Sequence, residues 1–189
     1  MKRIVVFASG SGSNAENIIK FFKHSKTAKV TTVLCNNAHA KVFERCKKLE
    51  TKCLHFNKHD FSISNTVLNI LKNEADFIVL AGFLWRIPQK IVTAFPNKII
   101  NIHPALLPKY GGKGMYGMHV HDAVVKNNES ETGVTIHYVN EHYDEGAIVF
   151  QAKCAVHKTD SSTEVAAKIH QLEMEHFPKV IQNILLSDV

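Results

Sequence analysis

Three short segments carry side chains whose types and spacing can do chemistry. Asn101-Ile102-His103-Pro104 closes an apolar run, Ile99–Ile102. Alternation along an extended chain puts Asn101 and His103 on the same side. One offers an amide donor, the other an imidazole that titrates near neutral pH. In an open α/β sheet, ligands bind beyond the carboxyl ends of the strands, where this pair falls. The second segment, Ala8-Ser9-Gly10-Ser11-Gly12-Ser13-Asn14-Ala15, joins a strand pattern to a helix pattern. Glycines admit close backbone approach, and a helix N-terminus presents unpaired N–H groups and a positive dipole end. That chemistry suits an anion, above all a phosphate. The third, Asn140-Glu141-His142-Tyr143-Asp144-Glu145-Gly146, brings carboxylates to a turn before an apolar strand. They could orient a histidine or hold a cation; an ordinary acidic turn ending in Gly fits the same residues.

Other chemistries fit less well. The first loop matches the spacing G-x-G-x-x-A, but a dinucleotide site needs an acidic residue at the end of the second strand. Asn36-Asn37 stand there, and no Gly-Lys-Ser/Thr follows the glycines as a P-loop requires. His119 and His121 could share a metal on a strand, but they diverge on a helix and have no third ligand at diagnostic spacing, so no metal site is expected. Cys35, Cys46, Cys53 and Cys154 form no CxxC pair, and read as reduced thiols of a cytoplasmic protein.

These segments must be held by elements, and the first half of the chain alternates strand and helix patterns. Strands are expected at 4–9, 29–35, 53–56, 76–81 and 98–102, with helices at 13–24, 38–49, 63–73 and 88–95. Such alternation means βαβ units and a parallel sheet. The stretch 104–118 is rich in Gly and Pro and reads as a long irregular loop. A helix at 119–127, a strand hairpin at 134–139 and 147–154, and a long helix at 163–186 kinked near Pro178 complete the pattern. The expected fold class is α/β: a twisted, mostly parallel mixed sheet flanked by helices, Rossmann-like in its N-terminal half. The expected organisation is one domain, 1–189, with a phosphate-binding half over 1–100 and a catalytic half over 101–189.

The 189 residues are 45% hydrophobic and 21% charged, as in ordinary globular domains. The net charge of +6 is dispersed. Its densest cluster, Arg45, Lys47 and Lys48, is flanked by Glu44 and Glu50, so an anionic small molecule fits better than nucleic acid. No run approaches the roughly 18 apolar residues of a membrane span, and the N-terminus lacks a signal-peptide core.

Taken in order, Ala8–Asn14, Val79-Leu80-Ala81-Gly82-Phe83, Asn101-Ile102-His103-Pro104-Ala105-Leu106-Leu107-Pro108-Lys109-Tyr110 and Asp144 closely resemble the phosphoribosylglycinamide formyltransferases, folate-dependent enzymes of purine biosynthesis. The resemblance covers essentially the whole chain. It implies transfer of the formyl group of 10-formyltetrahydrofolate, a co-substrate, to the amine of glycinamide ribonucleotide, with no metal. Asn101, His103 and Asp144 fall on the catalytic positions. Gly12, Ser13 and Asn14, with His170, Gln171, Leu172 and Glu173, fall on the ribonucleotide site. Trp85, Arg86, Ile87 and Pro88, with Asn101 and Asn140, Glu141, His142, Tyr143 and Asp144, fall on the folate site. The segment Gly82–Pro88 is one residue longer than the family form, and Gly111–Gly117 is a longer, more flexible lid. The resemblance implies that Asn101 and a charged His103 stabilise the oxyanion, with Asp144 raising the His103 pKa. A formyltetrahydrofolate hydrolase is the alternative, but such relatives usually carry an N-terminal regulatory domain for which this chain leaves no room. Monomer and homodimer both remain open, with small-molecule partners and neither nucleic acid nor membrane expected.

Overall fold

The computed structural model describes residues 1–187. Its strands are hydrogen-bonded in the order β3-β2-β1-β4-β5-β6-β7, with β1 at Lys2–Ala8, β2 at Ala28–Cys35, β3 at Lys52–His55, β4 at Phe77–Leu80, β5 at Ile99–His103, β6 at Glu131–Tyr138 and β7 at Ile148–Ala155. The chain divides into two compact units, Met1–Ile100 with Pro178–Val189, and Asn101–Phe177.

In the first unit, β1 pairs in parallel with β2 and β4, and β2 with β3. Ile4 to Ala8 are wholly buried. A strand covered on both faces has no polar side to alternate with, so it reads as a continuous apolar run. Helices α1 (Ser13–Phe22), α2 (Val42–Lys48), α3 (Thr66–Glu74) and α4 (Gln89–Ala94) connect these strands. α1 buries Ala15, Ile18, Ile19 and Phe22, a stripe at helical spacing. Full burial of one such Ile or Phe stabilises by about 1.5–3 kcal/mol, which pins the helix against rotation. The chain leaves β1 toward β2 and β3, then returns to place β4 on the other side of β1. The loops after β1 and β4 therefore flank a topological switch point.

The second unit holds β6 and β7, which pair antiparallel, together with α5 (Met118–Lys126) and the first part of α6 (Ser162–Ser187). Val134, Thr135 and Ile136 are fully buried and Thr132 and His137 almost so, so three polar side chains sit in a covered strand.

Several boundaries differ from the sequence reading. The helix expected over 38–49 begins only at Val42, and the one expected from Ile63 begins at Thr66, because His59–Ile63 winds into a separate π-helical turn around buried Phe61. The hairpin's first strand starts at Glu131 rather than Val134, since its leading residues pair with the far end of β7. α6 continues through Pro178.

Candidate active site

The loop after β1 is built by backbone. Gly12 caps α1 with φ 73° and ψ 19°, a left-handed conformation that costs a residue with a Cβ. A Cβ there would also lie 2.4 Å from Val42 Cγ2. Glycine is thus required twice, by backbone sign and by the close approach of α2. The loop is braced on both sides. Val42 N–H donates to the Gly10 carbonyl (3.3 Å), and Arg45 Nε–H donates to the Ser11 carbonyl (2.8 Å) while its guanidinium pairs with Glu16. From the β4 side, Ser9 N–H donates to the Gly82 carbonyl (3.1 Å) and Leu84 N–H to Ser9 Oγ (3.1 Å). Ser13 is part-exposed and Asn14 is 8% exposed. Five positions, Gly10 to Asn14, therefore present amides and hydroxyls at a helix N-terminus, an arrangement suited to an anion.

The loop after β4 sits on an aromatic stack. Trp85 contacts Phe56, Phe61 and Phe83 with ring centroids 5.9–6.3 Å apart. Of the four candidate folate residues here, Ile87 turns into the core, Arg86 is exposed, and Trp85 and Pro88 are half-buried.

The second unit assembles a cluster of polar side chains around His103. The β5 end delivers both Asn101 and His103, and His103 is only 4% exposed. Asp144 stands between two imidazoles: its Oδ2 lies 3.6 Å from His103 Nδ1, and its Oδ1 lies 3.6 Å from His137 Nε2. It also accepts the Gly112 N–H (2.9 Å). His137 Nδ1–H donates to the Tyr138 carbonyl (2.9 Å), which leaves Nε2 to accept from the Asn101 amide (3.2 Å). His103 Nε2–H donates to the Tyr110 carbonyl (2.7 Å). These tautomers follow from the partners, since a carbonyl can only accept. Thr135 ties down the segment after β5: its Oγ1 donates to the Ala105 carbonyl (2.7 Å) and accepts from Leu107 N–H (3.0 Å).

Burial holds the His103 pKa below its ordinary value, against the opposing pull of the Asp144 carboxylate, the Tyr110 carbonyl and Glu173; His137 adds to the lowering. The expected rise is therefore overturned. Asp144 acts in the expected direction, but desolvating an imidazolium outweighs it. Burial also pushes the Asp144 pKa up, but His137, the charge of His103 and the Gly112 N–H more than offset it, so Asp144 stays ionised below the usual carboxylate range. At neutral pH the pair is a neutral imidazole facing a carboxylate.

In the turn at 140–144, Asn140 accepts the His142 N–H (2.9 Å), and Asp144 itself has φ 56°. Glu141, His142 and Tyr143 point outward, so only Asp144 joins the cluster. On α6, His170 Nδ1 lies 3.4 Å from Glu173 Oε2, Gln171 is exposed, and Leu172 is half-buried. Glu173 favours the charged forms of both His103 and His121. His119 and His121 stand on helix α5, and no group of three or more metal-ligating side chains occurs among the described residues.

Sequence reasoning did not single out His137, Thr135 or Gly112. The signal for the first two was present: Thr135 and His137, at i and i+2 and alternating with apolar Val134 and Ile136, mark one face of the strand for polar work. Nothing local marks Gly112, whose role is a backbone N–H.

A match to the formyl transferase family spans residues 2–181. The chain is 36% identical over 187 residues to the chloroplastic phosphoribosylglycinamide formyltransferase of Vigna unguiculata, a match covering 96% of this chain and 60% of that one. It is 36% identical over 188 residues to the phosphoribosylglycinamide formyltransferase of Haemophilus influenzae, covering 96% of this chain and 86% of that one. The structure of glycinamide ribonucleotide transformylase 1 from Symbiobacterium toebii superposes with a TM-score of 0.89 at 28% identity, covering 99% and 89% of the two chains. The chain thus spans less than two thirds of the plant relative's length but most of the bacterial one's. By sequence along nearly its whole length, and by its sheet and helices, the chain belongs to the formyl transferase family.

Proposed function

We propose that this chain is a phosphoribosylglycinamide formyltransferase, moving a formyl group from 10-formyltetrahydrofolate to the amine of N1-(5-phospho-D-ribosyl)glycinamide in purine biosynthesis. The observation that carries the reading is the Asn101–His137–Asp144–His103 cluster. Attack of the amine on the formyl carbon puts negative charge on the formyl oxygen. One Asn101 amide hydrogen is engaged by His137, which leaves the second for that oxygen. A preorganised donor of this kind accounts for roughly a hundredfold in rate.

His103 starts neutral. It takes up a proton as the attacking amine becomes cationic, and Asp144 at 3.6 Å stabilises the imidazolium that results. Because burial lowers its pKa, His103 then gives the proton up readily to the departing folate nitrogen. The net step forms one C–N bond, breaks another, and carries one proton between the two nitrogens.

The remaining site residues are assigned by the same reading. Gly12, Ser13 and Asn14 take the ribonucleotide phosphate, with His170, Gln171, Leu172 and Glu173 along the nucleotide. Trp85 to Pro88, Asn101 and Asn140 to Asp144 take the folate. The four cysteines are free thiols, which supports a cytoplasmic setting; among the described residues no helix is long and apolar enough to cross a membrane. Asn101, His103, His137 and Asp144 come from one chain, so the cluster is complete in a monomer and compatible with a homodimer.

The experiment is a transfer assay with both substrates, beside a reaction containing the folate and water alone. Formylated ribonucleotide is expected, with little hydrolysis. Rapid formate release without the amine would assign the hydrolase reaction instead.

A further inference from the structure

Two of the groups that face His103 belong to residues in left-handed backbone conformations, Tyr110 and Asp144, each with φ 56°. Such a conformation is disfavoured for a residue with a Cβ and persists only where its surroundings impose it. For Tyr110 the surroundings are visible. Its phenol donates to Glu129 Oε1 (2.8 Å) and accepts from Asn127 Nδ2 (2.9 Å), just past the C-terminal end of α5. Glu129 is held in turn by Lys109 Nζ at 3.1 and 3.2 Å. These contacts hold the Glu129 pKa down, and burial first of all holds the Tyr110 pKa up, so one stays a carboxylate and the other a donor. The moored residue turns its carbonyl onto His103 Nε2 (2.7 Å), and two residues on, the Gly112 N–H reaches Asp144 (2.9 Å).

We infer that Tyr110 is a positioning residue: its phenol, moored to Glu129 and Asn127, keeps its own carbonyl on His103 and so locks the imidazole in the Nε2–H tautomer. A carbonyl can only accept, so the hydrogen on Nε2 is permanent while the contact lasts. The exchangeable proton of His103 is then confined to Nδ1, the nitrogen that faces Asp144. The side chain of Tyr110 reaches no reacting atom. It acts through its backbone on the group that does, and it ties the Gly-rich segment Gly111–Gly117 to the same anchor. The charged and titratable groups around His103 are Asp144, His137, Glu173 and His121; Asp144 faces Nδ1, while Nε2 is hydrogen-bonded to the Tyr110 carbonyl.

The inference rests on the formyltransferase reading for its effect on rate, but its primary test does not. The test is ¹⁵N NMR of the His103 ring in wild type, Tyr110→Phe, Glu129→Gln and Lys109→Ala, with His103→Gln giving the assignment. The wild type should show one neutral tautomer, Nε2–H. In Tyr110→Phe the ring should become a mixture of tautomers, and its titration should move further below the ordinary histidine value, because the carbonyl contact raises it. Glu129→Gln keeps an acceptor for the phenol and should retain the wild-type tautomer. Lys109→Ala removes one support of Glu129 but leaves both hydrogen bonds of the phenol, and should keep the wild-type tautomer. If Tyr110→Phe folds poorly, Asn127→Ala should show the same change in smaller measure.

In the transfer assay, Tyr110→Phe should lower kcat roughly tenfold and leave both KM values within about twofold, as expected for a group that matters only once the proton moves. A single unshifted Nε2–H tautomer in both Tyr110→Phe and Asn127→Ala would overturn the inference. A wild type that transfers nothing, while Tyr110→Phe still mixes the tautomers, would overturn the functional reading and leave the mooring intact.

Discussion

In the loop from Gly10 to Asn14, the groups offered to a ligand come from consecutive residues and are mostly backbone. Around His103 they come from β5, the loop at Tyr110–Gly112, β6 and the turn at Asp144, and most are side chains. The loop is stiffened by sterics: Gly12 against Val42, with Arg45 and Leu84 hydrogen-bonded into its two ends. The His103 cluster is held by contacts between distant segments: the Asn101 amide on His137, the Tyr110 carbonyl on His103 and the Gly112 N–H on Asp144. A backbone site depends on shape and tolerates little added volume. A side-chain site depends on charge and tautomer, and is sensitive to pH.

Substitution should separate the two. The largest effect is expected from His103→Ala, which should lower kcat by at least roughly a hundredfold with little change in KM for the ribonucleotide, since the lost contact matters mainly in the transition state. Steady-state kinetics on a folded variant decides it, and near-wild-type kcat would break the assignment. Gly12→Ala should act through shape instead. Overpacking against Val42 and the positive φ should destabilise the fold by roughly 1–3 kcal/mol, read as a lower urea midpoint. Gly10 has open space around it, so Gly10→Ala should leave that midpoint nearly unchanged.

The same open space makes Gly10→Asp a probe of charge alone. A carboxylate in an anion site should raise KM for the ribonucleotide about tenfold, or roughly 1.4 kcal/mol, and leave KM for the folate within twofold. Equal loss of both ligands would mean that the loop holds no phosphate.

Asp144→Asn sharpens the electrostatic half of the comparison. The carboxylate favours imidazolium, so removing its charge leaves burial less opposed and should move the His103 titration lower still. An unmoved titration followed by NMR would show that Asp144 acts only through the backbone of its turn.

The smallest effect concerns His121, which is 6% exposed, with a pKa lowered by burial and an Nδ1 that has no hydrogen-bond partner. The unfolded chain binds a proton near pH 6.5 and the folded chain resists it, so stability is full above that pH and falls as the pH drops toward the folded value. His103 behaves alike. His121→Leu should therefore lose less stability than wild type between pH 7 and 5, in paired urea titrations. Parallel losses would remove His121 from the acid response.

How much could be read from residues alone follows from the same contrast. The loop after β1, the parallel sheet and the strand-end pair at Asn101 and His103 were legible because each is written in neighbouring residues: glycine spacing, apolar runs, i and i+2 alternation. Helix starts were less so, since Val42 and Thr66 begin their helices where packing permits, and the π-helical turn at His59–Ile63 is set by the burial of Phe61. The resemblance put Asp144 beside His103, but local pattern could not distinguish it from Glu141 or Glu145. Only tertiary structure chose, by turning one carboxylate inward and leaving the others in solvent. It alone brought His137 and Thr135 to the site, and it reversed the expected shift of His103. A pKa is the balance of burial against neighbouring charges, and both terms depend on residues far apart in the chain. Sequence specified which groups are present and which way each strand presents them; folding decided which groups meet and how dry the meeting place is.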